Sequence, residues 1–210
     1  MSETVVWPSF KRDLVAILRG VKPDEVEAIV GVLIEEQFEA IEVPLNSPEP
    51  LRSIEIIAKA FGADALIGAG TVTLPEDCAD VAKAGGRLMV SPNVDPSVIA
   101  IAKSRGMVTL PGVFTPTEAL LALRSGASAL KFFPAGALGA SGISAIKAIL
   151  PKDAVVGAVG GVSEASFADF ARIGVRTFGL GSSLYKPGDS ADVVRAKAKA
   201  AIEAYDRVFG

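Results

Sequence analysis

Hydrophobic residues recur along the chain in short runs, which are separated by longer stretches with a helical spacing of apolar and polar positions. Eight runs are apolar on both faces, a pattern typical of strands buried inside a parallel sheet. They are LVAILRG (14–20), AIEVPLN (40–46), ALIGAGTV (65–72), LMVSPN (88–93), MVTLPGV (107–113), ALKFFPA (129–135), AVVGAVGGV (154–162) and RTFGLGSSLY (176–185). Successive runs begin roughly 20–26 residues apart, which is the length of one strand, one helix and two loops.

The intervening stretches carry helix start and stop signals. KPDEVEAIVGVLIEEQ (22–37) opens with Pro23, which suits a first helical turn, and with the acidic Asp24 and Glu25 beside the positive end of the helix dipole. Six further stretches have an apolar period near 3.6, and most begin with a cap residue or proline and end in glycine. They are SPEPLRSIEIIAKAF, LPEDCADVAKAGG, DPSVIAIAKSRG, TPTEALLALRSG, VSEASFADFARIG and SADVVRAKAKAAIEAYDRVF.

Doubly buried strands that alternate with helices indicate a parallel sheet covered by helices. Eight such units predict an α/β fold, a (β/α)8 TIM barrel, with residues 3–12 forming an extra N-terminal helix. The chain contains no linker or low-complexity tract, so we expect one domain over residues 1–210. An open doubly wound sheet would show the same alternation and is the structural alternative.

Composition excludes several classes of protein. Half of the 210 residues are hydrophobic, yet glycine, proline or charge breaks every apolar stretch before the ~18 residues of a membrane span. A formal net charge of −3 argues against nucleic acid as the main partner. The first residues lack the pattern of a secretory signal, and the single Cys78 allows no intrachain disulfide. The sequence therefore predicts a cytoplasmic protein that binds neither membrane nor nucleic acid.

The sequence contains no histidine. This removes catalysis by imidazole, serine triads that need histidine, and most transition-metal sites. We therefore expect no metal centre, and the chemistry must be carried by other side chains.

Three charged residues lie in or at the end of predicted strands: Arg19 in AILRG, Glu42 in AIEVP and Lys131 in ALKFF. A buried charge is costly unless it is paired or neutralised, and barrel enzymes collect their active groups at the C-terminal ends of the strands. The three residues therefore predict a site there. A structural ion network that ties strands together is the alternative.

The three residue types suit one reaction. A lysine among aromatic residues loses solvation, which lowers its pKa, and a neutral amine forms a Schiff base with a ketone. A carboxylate in the same pocket moves the protons that this chemistry requires, and an arginine holds a substrate carboxylate with two parallel hydrogen bonds. Lys131, Glu42 and Arg19 together indicate an amine-dependent lyase acting on a 2-keto acid.

Glycines cluster at the ends of the seventh and eighth predicted strands, with Gly160 and Gly161 in AVGGV and with Gly179, Gly181 and Ser182 in GLGSSLY. Barrels frequently bind phosphate at these two loops, because backbone N–H groups there face the anion and glycine lets the backbone approach it. The clusters therefore predict a phosphate site. Glycines that only make turns are the alternative.

Seven motifs in chain order resemble the 2-keto-3-deoxy-6-phosphogluconate and 6-phosphogalactonate aldolases: AILRG, IEVPLNSP, IGAGTV, VSPN, ALKFFPA, VGGV and GLGSSLY. The likeness covers nearly all of residues 14–186. It implies a class I, metal-independent lyase on a (β/α)8 barrel that needs no cofactor and forms a homotrimer. The reaction it implies is cleavage of a phosphorylated keto acid to pyruvate and D-glyceraldehyde 3-phosphate.

The resemblance also implies roles for residues at matching positions. The two catalytic residues would be Lys131, as the Schiff-base lysine, and Glu42, as the general acid and base. The binding residues would be Arg19 and Thr71 for the carboxylate of the pyruvate half, Pro92 and Phe133 for the pocket wall, and Gly160, Gly161 and Ser182 for the phosphate.

Two positions separate branches of this family. Gluconate-type members usually read LRT after the glutamate and TGG at strand seven, whereas this chain has Asn46 in LNS and Val159 in VGG, the galactonate-type pattern. A threonine hydroxyl can bind the substrate's C4 hydroxyl and valine cannot, so this exchange can change the preferred C4 epimer. We expect 2-dehydro-3-deoxy-6-phosphogalactonate as substrate, within galactonate catabolism. The alternatives are that Val159 only packs the barrel, and that the substrate is the gluconate epimer or a keto-hydroxyglutarate.

Two further functions remain open at this point. Another phosphate-binding barrel enzyme could keep Lys131 only as an ion-pair partner, and it would form no adduct with pyruvate. A non-catalytic sugar-phosphate-binding barrel could keep the glycine clusters, but it would have little reason to retain a buried lysine and glutamate together.

Overall fold

The computed structural model describes residues 4–210, and in this part of the chain nine parallel strands are surrounded by eight α-helices. The strands are β1 (Leu14–Ile17), β2 (Ala40–Pro44), β3 (Leu66–Gly70), β4 (Leu88–Val90), β5 (Val108–Leu110), β6 (Gly112–Val113), β7 (Leu130–Phe132), β8 (Val156–Val159) and β9 (Thr177–Leu180). Each of the eight predicted runs contains at least one of these strands, so the predicted barrel is confirmed.

The helices are α1 (Val26–Glu35), α2 (Pro50–Phe61), α3 (Pro75–Lys83), α4 (Pro96–Ser104), α5 (Pro116–Arg124), α6 (Ala135–Lys147), α7 (Phe167–Ala171) and α8 (Ala191–Phe209), with a 3₁₀ turn at Glu164–Ser166. The helices α2 to α5 each begin with a proline, which tolerates the first helical turn because no intrahelical N–H bond is needed there. Sequence reasoning missed α6. Its first half consists mostly of small residues without an apolar period, and Gly139 departs from helical geometry with φ 68°.

The barrel closes through residues 108–113. This segment lies in the fifth predicted run (107–113), and Pro111 divides it into β5 and β6 because proline has no N–H for the ladder. β5 pairs with β4, and β6 pairs with β7. The Lys131 N–H donates to the Pro111 carbonyl at 2.9 Å, which continues the pairing across the division. β5 and β6 are the two ends of the strand order, and they are consecutive parts of one chain segment. The sheet therefore closes into a barrel, which rules out the open doubly wound alternative.

The N-terminal segment is not the predicted helix. Residues 4–12 contain no helical turn, and residue 3 lies outside the described residues. Pro8 interrupts the segment, since it lacks an N–H and disfavours helical geometry at the residue before it. Instead Trp7 is buried and contacts Phe10 edge-on at 5.7 Å, and its indole N–H donates to Asp13 at 3.3 Å. Trp7 thereby covers the N-terminal end of the barrel interior.

Side chains alternate between two buried layers, as expected for strands covered on both faces. Inward-facing apolar residues form a cluster with Trp7 that fills the N-terminal half of the barrel: Val15, Ala40, Leu66, Leu88, Val90, Val108, Leu110 and Ala129. Outward-facing residues pack against the helices in a larger cluster. Because side chains fill the N-terminal half of the barrel, space for a ligand remains at its C-terminal end. Within residues 4–210, no helix has the length and hydropathy needed to cross a bilayer.

Candidate active site

A cavity of about 210 Å³ lies at the C-terminal ends of the strands, where barrel enzymes place their chemistry. Ten residues singled out from the sequence line it: Arg19, Glu42, Thr71, Pro92, Lys131, Phe133, Val159, Gly160, Gly161 and Ser182. The structure therefore brings together residues that are up to 163 positions apart in the sequence (19 to 182). The eleventh, Asn46, does not line the cavity but contacts Arg19.

Four further residues line the cavity: Gly179 and Gly181, which belong to the predicted glycine cluster of GLGSSLY, and Ile17 and Val162, which were not predicted. The only sequence signal that could have found Ile17 is the alternation of strand residues, since it lies within β1 and points inward. Ile17 and Val162 carry no reactive group, so chemistry alone could not identify them.

A larger groove of about 410 Å³ lies on the outer surface, between the beginnings of α2 and α3. Its lining residues are Leu45, Glu49, Pro50, Leu51, Arg52, Asp77 and Asp80. None of these is a buried ionisable residue. The smaller cavity inside the barrel is therefore the better candidate, because perturbed buried charges concentrate at functional sites.

Lys131 is the central residue of β7, and its side chain points into the barrel. Its neighbours Leu130 and Phe132 face the opposite way and are completely buried against the helices. In the sheet, Lys131 is paired with Gly112 on one side and Gly157 on the other. The two glycines leave room for the long lysine side chain, which is why an amine can be accommodated in this layer.

Burial controls the ionisation of Lys131, which is only 6% exposed. The pKa of Lys131 is lowered to about 8, mainly because desolvation disfavours the charged amine; the negative charge of Glu42 opposes this fall and the positive charge of Arg19 adds to it. The Nζ atom lies 5.1 Å from the centroid of the Phe133 ring. With this pKa, about a tenth of the lysine is neutral at pH 7, far more than for an ordinary lysine, and the neutral amine is the nucleophile.

Glu42 is the carboxylate that faces Lys131 across the barrel interior. It lies in β2, is 3% exposed, and its Oε2 atom has no hydrogen-bond partner among the described residues. Burial raises the pKa of Glu42 to about 7, while the positive charges of Lys131 and Arg19 oppose this rise. A carboxyl group that titrates near neutrality can both donate and accept a proton during turnover.

Arg19 lies beyond its strand, whereas the sequence predicts it in or at the end of the strand. β1 ends at Ile17, so Arg19 lies two residues beyond it and is exposed at the mouth of the cavity. Its guanidinium donates to the Asn46 side-chain oxygen, and both terminal nitrogens lie 3.5 Å from Thr71 Oγ1. An exposed guanidinium oriented in this way can meet a substrate carboxylate as it enters.

Thr71 has an unusual backbone conformation for a β-branched residue, with φ 58° in the left-handed region. Such a conformation costs about 1–3 kcal/mol and persists only where the surroundings enforce it. Here it directs the hydroxyl towards the Arg19 guanidinium. The strain thus coincides with a contact inside the candidate site.

The glycine pair after β8 approaches the backbone of α6 closely. Gly160 and Gly161 have φ 83° and 75°, which other residues rarely adopt. A Cβ on Gly160 would lie 3.0 Å from the Phe133 ring, and one on Gly161 would lie 3.2 Å from the Cα of Gly136. Only glycine fits here, and backbone N–H groups at this end of the cavity can meet an anion.

Comparison with known proteins agrees with this geometry. The model of one protein family, described as KDPG and KHG aldolase, matches residues 10–204. The chain belongs to this aldolase family. It is therefore a lyase that cleaves carbon–carbon bonds, and its family uses Schiff-base chemistry. Family membership confirms the predicted resemblance and decides against both the unrelated phosphate-binding enzyme and the non-catalytic barrel.

Individual relatives cover nearly the whole chain. The chain is 62% identical over 208 residues to the "Probable 2-dehydro-3-deoxy-6-phosphogalactonate aldolase" of Rhizobium meliloti (strain 1021), covering 99% of this chain and 98% of the relative. It is 47% identical over 195 residues to the 2-dehydro-3-deoxy-6-phosphogalactonate aldolase of Escherichia coli (strain K12), covering 93% and 95%. A solved structure described as native KDPGal has a TM-score of 0.94 at 46% identity, covering 97% and 98%.

Proposed function

We propose that this aldolase cleaves 2-dehydro-3-deoxy-6-phosphogalactonate to pyruvate and D-glyceraldehyde 3-phosphate. The observation that carries the proposal is the pairing of Lys131 and Glu42 in one buried cavity, with pKa values of about 8 and about 7. The names of the two galactonate-type relatives support this substrate.

In the first half of the reaction, the neutral amine of Lys131 attacks the C2 ketone of the substrate. The resulting carbinolamine loses its hydroxyl as water, with the proton supplied by Glu42 through a water molecule, and a protonated imine remains. This imine carries a positive charge that withdraws electrons from C3. The positive charge of the imine polarises the substrate carbon skeleton, a role that a metal ion has in other lyases.

In the second half, the C3–C4 bond breaks. Glu42, now a carboxylate, accepts the C4 hydroxyl proton through a water molecule while the bonding electron pair moves towards the imine and leaves an enamine. The triose phosphate departs as the aldehyde. Glu42 returns the proton that it took from the C4 hydroxyl, through a water molecule, to C3 of the enamine, and the protonated imine forms again. Hydrolysis of this imine releases pyruvate and the neutral Lys131 amine, and Glu42 takes up the proton that hydrolysis sets free.

The remaining lining residues suit the two ends of this substrate. Arg19 and Thr71 would bind the carboxylate at the cavity mouth, where their side chains already lie 3.5 Å apart. At the other end, Gly160, Gly161 and Ser182 would hold the phosphate through backbone N–H groups and a hydroxyl. Pro92 and Phe133 would form the apolar walls between them.

Val159 supports the galactonate epimer. It is an inward-facing residue of β8 that lines the cavity between Lys131 and the glycine pair, and its side chain offers no hydrogen bond to a C4 hydroxyl. A gluconate-type threonine at this position would offer one. We therefore assign the epimer preference to Val159, with Asn46 acting through its contact with Arg19.

The test is a pyruvate-release assay on the two C4 epimers side by side, with the purified protein at equal concentration. The proposal predicts a higher kcat/KM for the galactonate epimer. A higher value for the gluconate epimer would reassign the substrate to the other branch. Binding of either sugar phosphate without release of pyruvate would contradict the proposed reaction as a whole.

We also propose that the enzyme acts as a homotrimer of single-domain subunits in the cytoplasm. Apolar side chains near the beginnings of three helices support self-association: Leu51 in α2, Leu74 before α3 and Phe114 before α5 are 36%, 50% and 40% exposed. Light scattering after size exclusion would measure the subunit number, and polar replacements at these positions should lower it. The sole cysteine, Cys78, is buried and unpaired, which suits a reducing compartment.

A further inference from the structure

The last residue of β3, Gly70, lies directly beneath the carboxylate of Glu42. A Cβ atom built on Gly70 would be 1.3 Å from Glu42 Oε2 and 2.3 Å from its Cδ. These distances are far below any van der Waals contact, so the carboxylate occupies the place where a side chain at position 70 would begin. Oε2 is also the oxygen that has no hydrogen-bond partner among the described residues.

The backbone does not explain this glycine. Gly70 is paired in regular parallel register with Pro44 of β2, and it is absent from the positive-φ glycines of residues 4–210. Any residue can adopt its conformation. What excludes a side chain at this position is therefore the Glu42 carboxylate itself.

Two other inward glycines of the barrel, Gly68 and Gly112, are excluded from substitution for a different reason. A Cβ on Gly68 would lie 2.0 Å from the Leu88 carbonyl oxygen, and one on Gly112 would lie 2.3 Å from the Pro92 carbonyl oxygen. These contacts are with the main chain of β4 and of the loop that follows it. Gly70 differs, because the atom it would meet first belongs to an ionisable side chain of the site.

We propose that Gly70 is a positioning residue for Glu42. Its missing side chain leaves a notch in the barrel wall that receives the carboxylate and holds it, desolvated, at the level of Lys131. This inference rests on the proposed role of Glu42 as the acid and base. A side chain at position 70 forces Glu42 into another rotamer and moves its carboxylate by ångströms, towards the open end of the cavity.

Gly70→Ala is the direct variant. We expect kcat/KM for pyruvate release to fall by about 100-fold, since misplacing a catalytic group by about 1 Å has effects of this size. In the dependence of kcat/KM on pH, the apparent pKa of the acid limb should be lower than in the wild type, because a more solvated carboxyl regains its ordinary pKa. Gly31→Ala in α1 is the matched control, since its new Cβ would lie 3.8 Å from Phe61 and outside the cavity.

A double-variant cycle separates the notch from the chemistry. With Glu42 present, alanine at position 70 should lower the thermal midpoint. In a Glu42→Ala background the same change should cost nothing, because the vacated space accepts the new methyl group. If Gly70→Ala does not fold while Gly70→Ala/Glu42→Ala does, the notch is equally supported. The cycle requires no turnover, so it tests the notch even if the wild type releases no pyruvate and the proposed function fails.

Three results would overturn the proposal. The first is an equal loss of thermal midpoint in both backgrounds, which would show that Gly70 serves the backbone. The second is the failure of both variants to fold. The third, in a wild type that releases pyruvate, is a Gly70→Ala enzyme with kcat/KM within 2-fold of that of the wild type and an unmoved acid limb.

Discussion

The guanidinium of Arg19 donates a hydrogen bond to the side-chain oxygen of Asn46, in the loop that follows β2. The next residue, Ser47, accepts a hydrogen bond at 2.9 Å from the backbone N–H of Gly20. Two consecutive residues of this loop thus hold Arg19 by its side chain and the adjacent backbone. Asn46 itself does not line the cavity, so its contact with Arg19 is the route by which it can influence specificity.

Asn46→Ala should weaken substrate binding through Arg19. Loss of a hydrogen bond to a charged group corresponds to about a 10-fold change, and we expect it as a rise in KM for the keto acid with a smaller change in kcat. Steady-state kinetics of pyruvate release measure both constants. Ser104→Ala, which removes a hydroxyl from the exposed end of α4, serves as the control. An unchanged KM in Asn46→Ala would show that Thr71 alone orients the guanidinium.

The dependence of kcat/KM on pH should be bell-shaped, with apparent pKa values of about 7 and about 8. Below the first value both groups are protonated, and the Lys131 ammonium cannot attack the ketone. Above the second value Lys131 and Glu42 have both lost their protons, so no proton remains on Glu42 to convert the carbinolamine hydroxyl into water. The two values belong to the Lys131–Glu42 pair as a whole. A rate that rises steadily through pH 9 would contradict this account.

Glu42→Gln keeps the shape of the side chain but removes its ability to donate and accept a proton. Turnover should fall by about 10²–10⁴-fold, while far-UV circular dichroism should show a retained fold. The amine of Lys131 remains, so the variant should still form an adduct with pyruvate. Near-normal rates would remove Glu42 from its proposed role.

The buried charges should make the wild-type protein less stable than a neutral variant. The pKa of Glu42 is raised from 4.5, so its stability contribution is present below pH 4.5 and lost as pH rises to about 7. The pKa of Lys131 is lowered from 10.5, so its contribution is present above that pH and lost as pH falls to about 8. Between about pH 7 and 8 both groups are charged while buried, so both stability contributions are lost in this range.

Glu42→Gln/Lys131→Met removes both charges while keeping similar volumes. Its free energy of unfolding should exceed that of the wild type by about 1–4 kcal/mol between pH 7 and 8. The excess should shrink as pH falls below 7 or rises above 8. Denaturant titrations over this pH range measure it. A double variant less stable than the wild type near neutrality would show that the pair stabilises the fold.

Val159→Thr tests the origin of the epimer preference. Threonine has nearly the shape of valine and adds one hydroxyl, so the gluconate-to-galactonate ratio of kcat/KM should rise by about 10-fold. Val156→Thr is the matched control, because it makes the same change in the same strand outside the cavity. A ratio that stays constant in Val159→Thr would place the selectivity elsewhere and leave Val159 as a packing residue.

The barrel and most of its site could be predicted because both follow from local patterns. Strand residues apolar on both faces indicate a parallel sheet, and a lysine such as Lys131 inside an apolar run stands out by composition alone. The N-terminal segment could not be predicted in the same way. Its apolar residues suit an amphipathic helix, and the burial of Trp7 against the barrel end depends on contacts distant in sequence.

Other features depend on the third dimension. Nothing in the run around Gly70 says that a carboxylate from the preceding strand will occupy its side-chain position, because the contact arises from the register of β2 and β3. The exposure of Arg19 was missed for a similar reason. β1 ends two residues earlier than the apolar run suggests, and the strand end is set by pairing with neighbouring strands.

The central claim is that Lys131 forms the Schiff base, and trapping with borohydride in the presence of pyruvate tests it most directly. Lys147→Met is the matched control, because burial also lowers the pKa of Lys147 although it lies in α6, outside the cavity. Mass spectrometry should detect the reduced pyruvate adduct on a peptide containing Lys131 in the wild type and in Lys147→Met, and no adduct in Lys131→Met. An undiminished adduct in Lys131→Met would contradict the account.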